Sequence, residues 1–163
     1  MMTERRTGTY AAVRYDKASC EALKALMTLW NVPNPINPDH FHSTLIYSRK
    51  PVPEDKQHNM DHAELKRLGW KFPISGFRMM DSSSEIHDKT VLVLMLHAPE
   101  LEALHDKLIA SGATHDFESY DAHITISYSA PGFDWSKIQI PDVSIVPEEI
   151  YFEPLNANWK DEE

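Results

Sequence analysis

A single cysteine, Cys20, stands among 163 residues, so no intramolecular disulfide framework can hold this chain, and its thiol usage fits a reducing cytoplasm. Glycine is almost as scarce, at five residues, and no Gly-rich phosphate loop can be written from them. A Gly-x-Ser-x-Gly nucleophile elbow is missing too, which removes one signature of serine hydrolases. No apolar run approaches the ~20 residues a membrane span requires. The charged N-terminus leads into no apolar stretch, so neither a secretory signal nor a membrane partner is expected. Basic residues are depleted in one half: residues 82–163 carry 4 Lys or Arg against 16 Asp or Glu, whereas residues 1–81 carry 12 against 9. The overall charge of −9 speaks against long nucleic acid as a partner, because neutralising phosphates drives that kind of binding.

Two short stretches of the chain nearly repeat each other. His42-Ser43-Thr44-Leu45-Ile46-Tyr47-Ser48 and His123-Ile124-Thr125-Ile126-Ser127-Tyr128-Ser129 each place a His and a Thr two residues apart in a β-like run. Side chains alternate along a strand, so each His and its Thr share one face. A His-x-Thr triplet alone is a weak signal, but each of these follows a matching unit.

The first unit begins with a strand over residues 8–15. Asp16 can cap a helix in which Leu23, Leu26, Met27 and Trp30 recur at the spacing of one buried face. Three prolines in residues 31–38 end that helix before the strand of His42. In the second unit, the apolar run 91–96 reads as a buried strand. Pro99 suits a first helical turn, Leu101, Leu104 and Leu108 line a helix face, and Gly112 stops it before the strand of His123. Tyr10 lies 32 residues before His42, and Val91 lies 32 before His123. The chain therefore reads as a duplicated strand–helix–strand unit within a single domain, 1–163, with approximate lobes 8–81 and 88–159 that can exchange strands. Loops are expected at 31–38, 51–61, 81–88 and 131–141.

Paired histidines can divide the work of a phosphodiester displacement. A neutral imidazole takes the proton of the attacking oxygen, and its protonated twin supplies one to the leaving oxygen. Thr44 and Thr125 can donate hydrogen bonds to the non-bridging oxygens, where negative charge gathers. No metal or other cofactor is required. His40-x-His42 and His58-x-x-x-His62 have metal-compatible spacings, but no third or fourth ligand stands at a recognisable distance. A small phosphorylated ligand needs only a few cations, for which Arg14, Lys17, Arg49, Lys50, Lys66, Arg67, Lys71 and Arg78 are candidates.

Paired His-x-Thr-hydrophobic motifs on duplicated lobes resemble the two-histidine (2H) phosphoesterase superfamily. The resemblance implies an α+β, bilobal, metal-independent enzyme whose antiparallel sheets line a central groove. Within that superfamily, Gly8-Thr9-Tyr10-Ala11-Ala12, the run from Asp39 to Ser48, and Glu153-Pro154-Leu155 with Trp159 resemble the anti-CBASS family-1 nucleases of tailed phages. What that likeness implies is cleavage of 3′–5′ linkages in cyclic di- and trinucleotide defence signals, such as 3′,3′-cGAMP and cyclic tri-AMP, in the cytoplasm of the infected bacterial host. It implies catalytic roles for His42, Thr44, His123 and Thr125. It also implies substrate contacts: Tyr10, with Trp70 or Trp159, on the bases, and Glu153 on an adenine edge. Two alternatives stand beside it. One is a 2H RNA-processing enzyme acting on 2′,3′-cyclic phosphates or 2′–5′ linkages; the other is a non-catalytic sponge for cyclic nucleotides. The sequence assigns neither the base nor the acid role to either imidazole.

Overall fold

Strand β1 (Thr9–Tyr15) is built for the middle of a sheet: Ala11, Ala12 and Val13 expose no surface. It pairs antiparallel with β2 (His42–Ser48) on one side and β7 (Pro147–Pro154) on the other, giving the order β2-β1-β7. A second antiparallel sheet has the order β5-β4-β3-β6, formed by β3 (Phe72–Met80), β4 (Val91–Leu96), β5 (His123–Ser127) and β6 (Ser144–Ile145). The structure, a computed structural model, describes residues 8–80, 90–115 and 119–155. The loop expected at 81–88 lies outside the described residues.

The sheets exchange strands. β3, from the first half of the chain, joins the second sheet through β4, and β7, from the second half, joins the first through β1. Sheet membership thus departs from a simple division of the chain at residues 81–88. β2 and β5, the strands that carry the two His-x-Thr motifs, are both edge strands.

Local chemistry explains the helices. In α1 (Lys17–Leu29), the Asp16 carboxylate accepts from the Ser19 amide at 2.8 Å, and Leu23 and Met27 point inward. Trp30 closes the same stripe, with its ring edge against Phe77. A short helix α2 (His62–Leu68) is capped by Asp61 and ends at Gly69 in the left-handed region. His58 precedes this helix and contacts Glu64 at 3.2 Å, so it shares no helix face with His62. Helix α3 (Pro99–Ala110) opens on proline, whose missing N–H costs nothing in the first turn. Its buried positions are Leu101, His105 and Leu108, with Leu104 only partly covered. A histidine thus occupies the inner face where leucines alone set the expected stripe. Among the described residues no helix is long and apolar enough to cross a membrane.

Gly8 fixes where β1 begins. A Cβ built on it would lie 1.8 Å from the Ser48 carbonyl oxygen, an overlap that backbone must move to relieve, and the Gly8 carbonyl accepts from the Leu155 amide at 2.9 Å. At Gly76 of β3, by contrast, an added Cβ meets nothing within 4 Å. We therefore expect Gly8→Ala to destabilise the protein by about 2 kcal/mol. Gly76→Ala should stay within about 0.5 kcal/mol of the parent chain, measured by thermal or urea denaturation.

Candidate active site

The register of the first sheet arranges its polar residues in rows. His42 lies opposite Arg14, which lies opposite Glu149; Thr44 lies opposite Ala12, then Tyr151; Tyr47 lies opposite Tyr10, then Glu153. In the second sheet, His123 pairs with Met95 and onward to Gly76, and Thr125 pairs with Val93 and onward to Arg78. The two strands interrupt this regularity at the same place. Leu45, directly after Thr44, is passed over in pairing with β1, and Ile126, directly after Thr125, is passed over in pairing with β4. These are β-bulges, which add one residue and bend the strand. Each makes two consecutive residues buried, Leu45 with Ile46 and Ile126 with Ser127, while the His and Thr before them stay partly accessible.

The histidines are anchored alike. His42 Nδ1 lies 2.9 Å from the carbonyl of His40, and His123 Nδ1 lies 2.9 Å from the carbonyl of Asp121. A carbonyl oxygen only accepts, so in both rings Nδ1 carries the proton and Nε2 is left to exchange one. His40 sits in a 3-10 turn, Pro38–His40, just before β2, where its carbonyl reaches the ring two residues on.

The two motifs meet through buried hydrogen bonds. Tyr15 Oη lies 2.6 Å from Ser43 Oγ, and Ser43 Oγ donates to the His123 carbonyl at 2.7 Å. Because Ser43 spends its proton on that carbonyl, Tyr15 is the donor of the first bond. Burial pushes the Tyr15 phenol well above its ordinary value, which keeps that donor in place. A cavity of about 340 Å³ between the motifs is lined by His42 from one strand and Thr125 from the other, with Arg14, Tyr128 and Tyr151 around them.

Electrostatics separate the site's two ends. Burial holds the His123 imidazole below its ordinary value, against the opposing hydrogen bond to the Asp121 carbonyl; Arg78 and His42 add to the lowering and the Asp121 charge resists it. Arg78 Nη1 stands 3.5 Å from the Asp121 carboxylate, with both side chains about half exposed. At the other end, Arg14 is engaged by Glu149 and lies over the Tyr151 ring, 5.8 Å from its centroid.

The remaining candidates are placed differently. Tyr10 reaches the site directly, its hydroxyl 3.2 Å from Thr44 Oγ1, and burial pushes its phenol strongly upward. Glu153 is exposed on β7, opposite Tyr10 in the register. Trp70 packs on the core just before β3 and does not line the cavity that holds His42 and Thr125. Trp159 lies outside the described residues. Sequence reasoning passed over Tyr15, Ser43, His105 and Tyr120. Ser43 is the one with a visible signal, a polar residue between the motif's His and Thr, on the opposite, inward face of the strand. Among the described residues, no three His, Cys, Asp or Glu side chains gather as a metal would need.

A family model described as anti-CBASS protein Acb1 matches residues 7–162. The chain belongs to that family. It is 34% identical over 162 residues to the anti-CBASS protein Acb1 of Enterobacteria phage T4, covering 96% of this chain and 93% of that one. The Acb1 protein of Acinetobacter phage Ac42 is 31% identical over 153 residues, covering 94% of both chains. Among solved structures, TT0787 of Thermus thermophilus superposes with a TM-score of 0.52 at 19% identity, covering 88% of this chain and 86% of that one, a likeness of fold. The architecture of the described residues is α+β, two antiparallel sheets with three α-helices, and TT0787 shares that fold.

In the folded protein, His123 should titrate below the ordinary histidine value of about 6.5. Both His42 and His123 should show the Nδ1–H tautomer when neutral. Nitrogen-15 NMR of the imidazoles measures both; an Nε2–H tautomer at either ring would contradict the anchoring described above.

Proposed function

We propose that this protein is a metal-independent phosphodiesterase that cleaves the 3′–5′ linkages of cyclic di- and trinucleotide defence signals. Cyclic GMP–AMP and cyclic tri-AMP are the proposed substrates, and the proposed setting is the cytoplasm of a bacterium under phage infection. The observation that carries the reading is the matched pair of imidazoles, each tied by Nδ1 to a carbonyl two residues upstream and each beside a threonine. Family membership supports the anti-CBASS role.

The chemistry divides by environment. His123 is the ring biased toward the neutral form, so it takes the general-base role, and His42 supplies the proton. His123 Nε2 accepts the proton of a ribose 2′-hydroxyl as its oxygen bonds to the adjacent phosphorus. The P–O5′ bond breaks, and His42 Nε2–H protonates the departing oxygen. That intramolecular attack supplies its own proximity. Thr44 and Thr125 donate to the non-bridging oxygens. Tyr10, Glu153, Trp70 and Trp159 are the proposed base contacts, with Tyr10 the one already touching the motif through Thr44. Stacking of about 1–3 kcal/mol per base suits a ligand with two or three exposed bases. A chain of net charge −9 suits a small ligand better than a long polyanion.

Incubation with cyclic GMP–AMP or cyclic tri-AMP in EDTA, followed by chromatography, should yield cleaved products. Intact ligand recovered from the denatured protein would overturn the enzyme reading in favour of a sponge. Cleavage confined to 2′,3′-cyclic phosphate ends or 2′–5′ linkages would favour RNA processing instead. His42→Ala and His123→Ala should each lower turnover by about 10²–10⁴-fold while the fold remains.

The pH profile should be bell-shaped, with its acidic limb set by His123. Arg78 disfavours the imidazolium, so Arg78→Gln should raise the His123 value. The acidic limb of kcat/KM should then move to higher pH. A shift to lower pH would contradict the base assignment.

A further inference from the structure

Each motif-bearing edge strand is gripped from outside by chain from the opposite half of the sequence, but by different chemistry. β5 is held at its bulge by a backbone amide, with side-chain hydrogen bonds beside it. The Ile36 amide donates to the carbonyl of the bulge residue Ile126 at 2.9 Å, Ser127 Oγ donates to the Pro33 carbonyl at 2.6 Å, and Asn34 Nδ2 donates to the Ser129 carbonyl at 2.8 Å. β2 is held at its bulge by two side chains. Tyr120 Oη donates to the Thr44 carbonyl at 2.8 Å, and His105 Nδ1 lies 2.9 Å from the carbonyl of the bulge residue Leu45. The carbonyl can only accept, so His105 Nδ1 carries the proton.

These two donors form one rigid unit. The Tyr120 and His105 rings stack at 4.5 Å and 18°, and the His115 ring meets His105 edge-on at 4.4 Å. His105 is 5% exposed on the inner face of α3, and burial pushes the Tyr120 phenol upward, keeping its proton on oxygen. The acceptors are consecutive: the carbonyl of Thr44 and that of the bulge residue after it. A bulge leaves part of its strand outside the regular ladder, so its geometry depends on whatever else holds those carbonyls. The corresponding carbonyl at Ile126 takes a backbone amide and so depends on no particular side chain there.

We propose that Tyr120 and His105 are positioning residues, which fix the bulge at Leu45 from the opposite half of the chain and thereby aim the Thr44 hydroxyl at the reacting phosphate. The inference rests on the phosphodiesterase reading for its catalytic consequence, and on the bulge geometry for its structural one. Neither side chain needs to touch the substrate. Their contribution is preorganisation: a donor held in place before the reaction begins stabilises developing charge without reorganising.

The test is a double-substitution cycle on the full chain with cyclic GMP–AMP. Tyr120→Phe removes one hydroxyl while keeping the ring stack. It should lower kcat about tenfold with KM changed by less than about twofold, the loss of one oriented hydrogen bond. In a Thr44→Ala background, the same Tyr120→Phe change should cost less than about twofold, because the hydroxyl it aims is gone. His105→Ala should lower kcat similarly, and His105→Asn, whose amide nitrogen takes the place of Nδ1, should restore most of it. Equal losses in both backgrounds, a loss in KM alone, or an unimpaired Tyr120→Phe beside a crippled Thr44→Ala would overturn the proposal.

Amide hydrogen exchange in the free protein separates this inference from the functional reading. Tyr120→Phe should speed exchange across residues 42–48 whether or not any cyclic nucleotide is cleaved, and unchanged exchange there would overturn the clamp on its own. Normal turnover by Thr44→Ala would instead refute the catalytic role given to Thr44, and with it the aiming role, leaving only the structural clamp.

Discussion

A single buried hydroxyl joins the two halves of the site. Ser43 sits between the His and Thr of the first motif with no exposed surface, and it donates to the carbonyl of the second motif's histidine while accepting from Tyr15. β2 and β5 are edges of different sheets and share no ladder, so this bond takes the place that strand pairing would otherwise fill. Losing it would remove a net contribution of about 0.5–1.5 kcal/mol.

Strand exchange makes that junction stiff. Since β7 completes the first sheet and β3 the second, neither strand–helix–strand unit closes its own sheet. The duplicated units are therefore interlocked, and the edge strands are further held by residues 33–36 on one side and by Tyr120 and His105 on the other. Exposed strand edges are usually a hazard for unwanted pairing. Here the outer carbonyls at both bulges are taken up by the opposite half of the chain, which turns two open edges into the walls of one site.

Charge within the site is sparse and largely answered. Arg14 is engaged by Glu149, and Arg78 stands beside Asp121. The histidines do not share one environment either: His123 is held toward its neutral form chiefly by burial, with Arg78 adding to the effect. A duplicated motif thus acquires unequal partners from surroundings that are not duplicated. In the proposed mechanism this inequality divides the base and acid roles between the two imidazoles.

The sequence by itself determined what depends on near neighbours. Alternation along a strand put His42 with Thr44 and His123 with Thr125 on one face each, Asp16 capped its helix, Pro99 opened another, and the equal 32-residue offsets exposed the duplication. These are effects of spacing and local hydrogen bonding, which a one-dimensional pattern carries. Only the tertiary structure decided which sheet β3 and β7 join, that both motifs end in a bulge, that a buried His105 stands in a leucine stripe, and that Tyr120 reaches Thr44 across 76 positions of chain. The packing of Trp70 against the core is likewise a matter of tertiary structure. Register, bulges and cross-chain hydrogen bonds are set by which distant groups can satisfy one another once water is excluded. That choice has no periodicity to read until the chain has folded.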